Sequence, residues 1–227
     1  LAVAGADGHA GVWDVETGVC VQSLRHDERV WRVDYSRDGS RLLTSVEHAA
    51  FLWDAASGER LLRIAIDDTG VAAIAISPDN TRIAAGGNDG RLWLFDAATG
   101  EMAASFFADA GVPPGRRCGR AGFSPDGRFV AAHTDGTAVA VIDLAAQPPQ
   151  VIARLTDATG WIRALAFHPD HANPYWLAGA GFDKTVHVWE VAAQSRDQRS
   201  EVRSQPASED VARSATMDTN DQYGGHH

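Results

Sequence analysis

Short apolar runs broken by turn residues fill most of this chain, and residues 30–64 show the pattern most clearly. Val30-Trp31-Arg32-Val33-Asp34-Tyr35 alternates loosely between apolar and polar positions, the period of a half-buried strand. Ser36-Arg37-Asp38-Gly39 then reads as a turn: an Asp side chain can bond nearby backbone, and Gly accepts a positive φ. Arg41-Leu42-Leu43-Thr44-Ser45 is the next strand, and Ala49-Ala50-Phe51-Leu52-Trp53 the third. Ser57-Gly58 turns the chain into a fourth, Arg60-Leu61-Leu62-Arg63-Ile64. No stretch of about ten residues carries the apolar spacing of an amphipathic helix, which excludes a helical solenoid.

The same unit recurs along the chain. Trp13-Asp14-Val15-Glu16-Thr17-Gly18 returns as Trp53-Asp54-Ala55-Ala56-Ser57-Gly58 and as Phe95-Asp96-Ala97-Ala98-Thr99-Gly100. Ile142-Asp143-Leu144 and Trp189-Glu190-Val191 are weaker copies, and the successive spacings are 40, 42, 47 and 47 residues. A second marker keeps the same rhythm. Ser36-Arg37-Asp38-Gly39 is followed by Ser77-Pro78-Asp79-Asn80, Ser124-Pro125-Asp126-Gly127 and His168-Pro169-Asp170, at spacings of 41, 47 and 44. Two markers in one phase, with four short strands per unit, predict an all-β propeller of four-stranded antiparallel blades.

Over about residues 1–194 the repeat resembles the WD-repeat family. Ser-Pro-Asp-Gly alone is also similar to repeats of other propellers, including those attached to peptidases. The Trp-Asp endings, the Thr-Gly turns and the preceding Asp-Gly turns separate the two. The resemblance implies that Trp13, Trp53, Phe95 and Trp189, ending the third strands, are buried between blades. It also implies a hydrogen-bonded set joining each indole to a hydroxyl, a His and a turn Asp. Asp7, Asp89 and Asp183 lie six residues before the Trp position and match that Asp; Glu47 stands there in the second unit, and Asp135 is displaced by one. His26 and Thr44 fit the rest of the set in the second unit, whereas Ala85, Ala132 and Gly179 replace the hydroxyl elsewhere. The blades are therefore expected to be held more by apolar packing than by polar networks.

Four full units and a partial one, residues 1–24, point to an incomplete ring. Leu1-Ala2-Val3-Ala4 matches a second strand, and no clear fourth strand follows Val186–Val191. The expectation is the C-terminal portion of a longer propeller, with open blade edges prone to self-association. Residues 195–227 are rich in Ser, Arg, Asp, Glu and Gln and are expected to form a disordered tail.

Composition narrows the partners. The 227 residues carry a net charge of −10, which disfavours nucleic acid and anionic membrane surfaces on average. No apolar run is long enough for a membrane span. Cys20 and Cys118 are the two cysteines, too distant for a disulfide framework or a zinc-ligand pattern, as in a reducing, cytoplasmic setting.

Candidate chemistry is thin. No Gly-x-Ser-x-Gly elbow is present, the nine His are scattered, and Asp67-Asp68 reads as a loop charge pair. His168 sits in a turn marker. Gly179-Ala180-Gly181 precedes a strand and is no phosphate loop. Gly224-Gly225-His226-His227 reads as solvated. No cofactor or metal site is expected.

The resemblance places partners on the face bearing the loops that lead into the innermost strands. Val30, Val71, Cys118 and Ile162 align at that point in four units. Arg29, Trp31, Arg117, Trp161 and Arg163 flank the column and are the candidate partner-binding residues, since Trp and Arg are enriched in interface hot spots. Packing of Trp31 and Trp161 beneath a loop is the other reading. Gly115–Arg120 is the basic cluster of the chain, either an insertion loop or a contact for an acidic partner. The function implied is a non-enzymatic protein–protein interaction scaffold. The alternative is an accessory propeller of a larger kinase, NTPase or peptidase whose catalytic domain lies outside this chain.

Overall fold

A computed structural model describes residues 1–66, 70–107, 118–133, 137–169, 175–191 and 202–205. Its strands form five antiparallel sheets, each built from consecutive strands. Blade 1 holds β1 (Ala2–Ala4), β2 (His9–Trp13) and β3 (Cys20–Arg25). Blade 2 holds β4 (Arg32–Tyr35), β5 (Arg41–Ser45), β6 (Ala49–Asp54) and β7 (Arg60–Ala65). Blade 3 runs through β8 (Val71–Ile76), β9 (Arg82–Gly87), β10 (Arg91–Asp96) and β11 (Met102–Phe107). Blade 4 comprises β12 (Ala121–Phe123), β13 (Phe129–His133), β14 (Val139–Asp143) and β15 (Gln150–Leu155). Blade 5 comprises β16 (Ile162–Phe167), β17 (Tyr175–Gly181), β18 (Val186–Val191) and β19 (Val202–Gln205). The fold is the all-β, incomplete propeller expected from the repeat.

The repeated turns explain why the markers recur. In the Ser-x-Asp turns the hydroxyl donates to the Asp carboxylate two residues on, at 2.7 Å for Ser36, 2.6 Å for Ser77 and 2.6 Å for Ser124. The same hydroxyl accepts the amide five residues on, from Arg41, Arg82 and Phe129. In the turn after the third strand, the carboxylates of Asp14, Asp54 and Asp96 accept amides two and three residues later. Those bonds hold all three carboxyls below the usual carboxylate range. Gly18, Gly58 and Gly100 close these turns at φ of 69°, 72° and 75°, a region other L residues avoid.

Neighbouring side chains on a strand face opposite blades. Along β5, Leu42 packs with Trp53, Phe51, Ala10 and Leu24 toward blade 1, while Leu43 packs with Ile74, Ile83 and Phe95 toward blade 3. Blades 3 and 4 meet through Ala73, Ala84, Leu92, Val130 and Ile142, and blades 4 and 5 through Phe129, Val141, Leu177 and Trp189. Burying an aliphatic or aromatic side chain of this kind contributes about 1.5–3 kcal/mol of transfer free energy.

Two expectations need correction. Trp53, Phe95 and Trp189 are buried, but Trp13 is 41% exposed. The Trp position faces the preceding blade, and no described blade stands on that side of blade 1. The last blade also has its fourth strand. Val202–Gln205, within the segment expected as a tail, pairs antiparallel with β18 from Val188↔Gln205 to Val191↔Val202. An outer strand needs one paired edge and little burial, so its polar sequence carries no apolar signal. The rest of the expected tail lies outside the described residues.

Arg37 takes the place that Pro78, Pro125 and Pro169 occupy in the other three copies of the marker. Its guanidinium donates to the carbonyls of Pro125, at 3.1 Å, and Pro169, at 3.3 Å, tying blade 2 to blades 4 and 5. The two cysteines differ sharply. Cys20 is exposed, whereas Cys118 is fully buried and its thiol is pushed up to about 12 by burial. In the native protein at mildly alkaline pH, a maleimide is expected to modify Cys20 rapidly and Cys118 only after denaturation. Peptide mapping of the label checks this, and rapid native labelling of Cys118 would contradict it.

Candidate partner-binding face

The alignment column falls where expected. Val30, Val71, Cys118 and Ile162 are all buried, and each starts or precedes an innermost strand. Val30, Val71 and Cys118 donate their amides to the carbonyls of Gly5, Glu47 and Gly87 in the preceding blade. These bonds fix where the flanking residues emerge.

Two of those flanks carry exposed aromatics under arginines. The Arg29 guanidinium lies 4.2 Å from the Trp31 ring centroid. Trp31 is 41% exposed, and its indole N–H donates to Glu47 at 3.1 Å. On blade 5, Arg163 lies 5.4 Å from the Phe182 ring, and the Phe182 amide donates to the Trp161 carbonyl at 2.9 Å. Trp161 and Phe182 are 55% and 68% exposed. Arg117 lies outside the described residues, as do Asp67, Asp68 and Asp135.

Two further arginines stand near the column, Arg32 at the start of β4 and Arg120 just before β12; the sequence reading passed over Arg32 and named Arg120 only as part of the Gly115–Arg120 cluster. Arg32 donates to the Ala72 and Gly119 carbonyls at 3.1 and 3.4 Å, and Arg120 to the Arg163 carbonyl at 3.0 Å. Both lie two positions beyond the column, at Val30 and Cys118, and that shared spacing was the available signal. Phe182 had none, because only the fold brings its turn beside Trp161. Asp34, on β4, has its carboxyl raised by the protein surrounding it, an effect that Arg120 opposes.

The polar sets around the buried Trp residues are local. In blade 2 the Thr44 hydroxyl lies 2.8 Å from the Trp53 indole nitrogen and 2.8 Å from His26 Nε2, as expected for that unit. Glu47, in the Asp place, serves Trp31 instead. Asp7, Asp89 and Asp183 each accept the amide two residues on. In blade 5 the Trp189 indole donates to Asp157 at 3.1 Å, and Asp183 bonds His187 at 2.8 Å. That bond and the Thr185 hydrogen bonds hold the Asp183 carboxyl well below its ordinary range.

Nothing described assembles a reactive centre. Among the described residues no group of three or more His, Cys, Asp or Glu is placed to hold a metal ion. A cleft of about 200 Å³ between blades 3 and 4 is lined by Ser77, Asp79, Arg82, Asp126 and Arg128. It is smaller than the roughly 300–1,000 Å³ of small-molecule sites, and its Asp126 and Arg128 are committed to Tyr175 and Asp143. No described helix is long and apolar enough to cross a membrane.

Comparison with known proteins agrees with the architecture. The family model "WD domain, G-beta repeat" matches residues 18–54, 61–96 and 149–190, just over half of the chain. The chain belongs to the WD-repeat family. It is 28% identical over 136 residues to "WD repeat-containing protein SL1-17" of Schistosoma mansoni, covering 59% of this chain and 43% of that protein. It is 31% identical over 116 residues to "Eukaryotic translation initiation factor 3 subunit I" of Aspergillus terreus, covering 45% and 34%. With "Nuclear distribution protein PAC1" of Coccidioides posadasii it shares 26% identity over 198 residues, covering 86% and 35%. The chain thus spans between about a third and less than half of the length of these relatives.

Proposed function

We propose that this chain is a non-enzymatic interaction scaffold that presents the loops leading into its innermost strands to other proteins or peptides. The observation that carries the reading is the pair of exposed aromatic–arginine contacts, Arg29 on Trp31 and Arg163 on Phe182 beside Trp161. Large aromatics and Arg residues dominate interface energetics, and here they stand exposed at or beside strand ends. The relative named as a translation initiation factor subunit is consistent with a role inside an assembly. A cytoplasmic setting is part of the same proposal.

The test is affinity capture with the wild-type chain, Trp31→Ala/Arg163→Ala, and a control altered on the outer strands, Leu61→Ala/Met102→Ala. The expected result is loss of the captured proteins by the face variant alone. Equal recovery by all three would remove this face from consideration. The accessory-module reading predicts a different outcome: the captured set would be one enzyme and would survive the face substitutions.

A further inference from the structure

We infer that the partner segment is acidic: an extended peptide of another protein whose carboxylates pair with Arg29 and Arg163 and whose bulky apolar side chain lies on Trp161 and Phe182. This rests on the scaffold reading above.

Charge complementarity supports it. The molecule carries −10 overall, yet Arg29, Arg32, Arg120 and Arg163 all occupy the first residues of the inner strands or their flanks. Nearby carboxylates keep their charge but are held by other donors, and none among the described residues pairs with Arg29 or Arg163. Glu47 accepts the Trp31 indole, Asp157 the Trp189 indole, and Asp183 the His187 and Thr185 groups. Asp27 and Glu28 are the neighbouring carboxylates, exposed beside Arg29.

The arginines differ in their duties. Arg32 and Arg120 spend guanidinium protons on backbone carbonyls. The guanidiniums of Arg29 and Arg163 make no hydrogen bond or ion pair with a described residue and lie over aromatic rings. Such a contact restrains the planar group while leaving its N–H edge open, the arrangement that receives a carboxylate in two parallel hydrogen bonds. Trp161 and Phe182 then supply the apolar seat beside Arg163. A short peptide bound here lies within a Debye length of the arginines, whereas the acids of the far face are screened. A nucleic acid would stack on the same rings, but its long phosphate chain meets the repulsion of the whole acidic surface.

Fluorescence anisotropy with three labelled probes tests this on the full chain. One is the peptide Glu-Asp-Phe-Glu-Asp-Leu, the second its Gln/Asn counterpart, and the third a single-stranded oligothymidine. The acidic peptide is expected to bind at least about tenfold more tightly than the amide peptide, the scale of one charge-assisted bond. Arg29→Ala/Arg163→Ala should remove that preference, and added salt should weaken it. Arg60→Ala/Arg82→Ala, away from this face, should leave it intact. Circular dichroism of each variant confirms folding. Equal binding of the two peptides, an undiminished preference in the arginine variant, or binding of oligothymidine alone would overturn the inference. If capture depends on Trp31 and Arg163 while the acidic peptide does not bind, the acidic partner fails and the scaffold reading stands. If neither depends on this face, both fail.

Discussion

Replacing Trp189 with Ala is expected to lower the unfolding free energy by about 3–5 kcal/mol, the range for deleting a large buried aromatic. The side chain is completely buried between blades 4 and 5, among Phe129, Val141, Leu155 and Leu177. Its ring is admitted by Gly179, where an added Cβ would come within 2.8 Å of the indole. His187 stacks on it at 5.6 Å, and Asp157 takes its N–H. Truncation would leave a cavity and an acceptor without its donor. Trp13→Ala is the matched comparison, because the same repeat position in blade 1 is 41% exposed. It should cost no more than about 1 kcal/mol, near the range for surface substitutions. Chemical denaturation followed by circular dichroism measures both. Equal losses would mean that burial between blades does not set the role of this position.

Thr44→Val is expected to cost about 2–4 kcal/mol although it preserves shape. The Thr44 hydroxyl stands between the Trp53 indole and His26, at 2.8 Å from each nitrogen. Removing it strands two polar groups, and an unsatisfied buried group costs about 1–3 kcal/mol. Thr44→Ser should recover most of that loss. A pH dependence belongs to the same cluster. Burial lowers the pKa of His26 in the fold, so the unfolded chain binds the proton more readily. The stabilising contribution of the neutral imidazole is therefore complete above the ordinary His value of 6.5 and declines as pH falls toward the lower folded value. Denaturation midpoints across that interval should fall with decreasing pH, and His26→Phe should flatten the trend.

The legible parts of this protein are those where local chemistry restricts the residue. Asp38, Asp79 and Asp126 cap their own turns, and Asp14, Asp54 and Asp96 cap others. Such positions tolerate few substitutes, so they recur in phase and reveal the blades. His26 and Thr44 were readable through the family resemblance, which implies a hydroxyl and a His beside the indole. What failed depended on neighbours. The exposure of Trp13 follows from the absence of a described blade beside it, which the strand itself does not encode. Val202–Gln205 pairs through backbone atoms and needs no apolar pattern. On the proposed partner face, the positions of Arg29, Trp31, Trp161 and Arg163 were legible from alignment of the units. Phe182 was not, because only the fold brings its turn beside Trp161.

Arg37 has a consequence for how the chain reaches this arrangement. A stack in which each repeat touches only its neighbours can nucleate anywhere and grow unit by unit. Arg37 binds carbonyls 88 and 132 residues further along the sequence. Contacts of that separation carry a large loop-closure entropy unless intervening segments are already ordered. This contact therefore belongs to the late side of the folding barrier. It leaves the rate of the first collapse untouched and slows the reverse reaction, acting as a latch set only after blades 2 to 5 have come together.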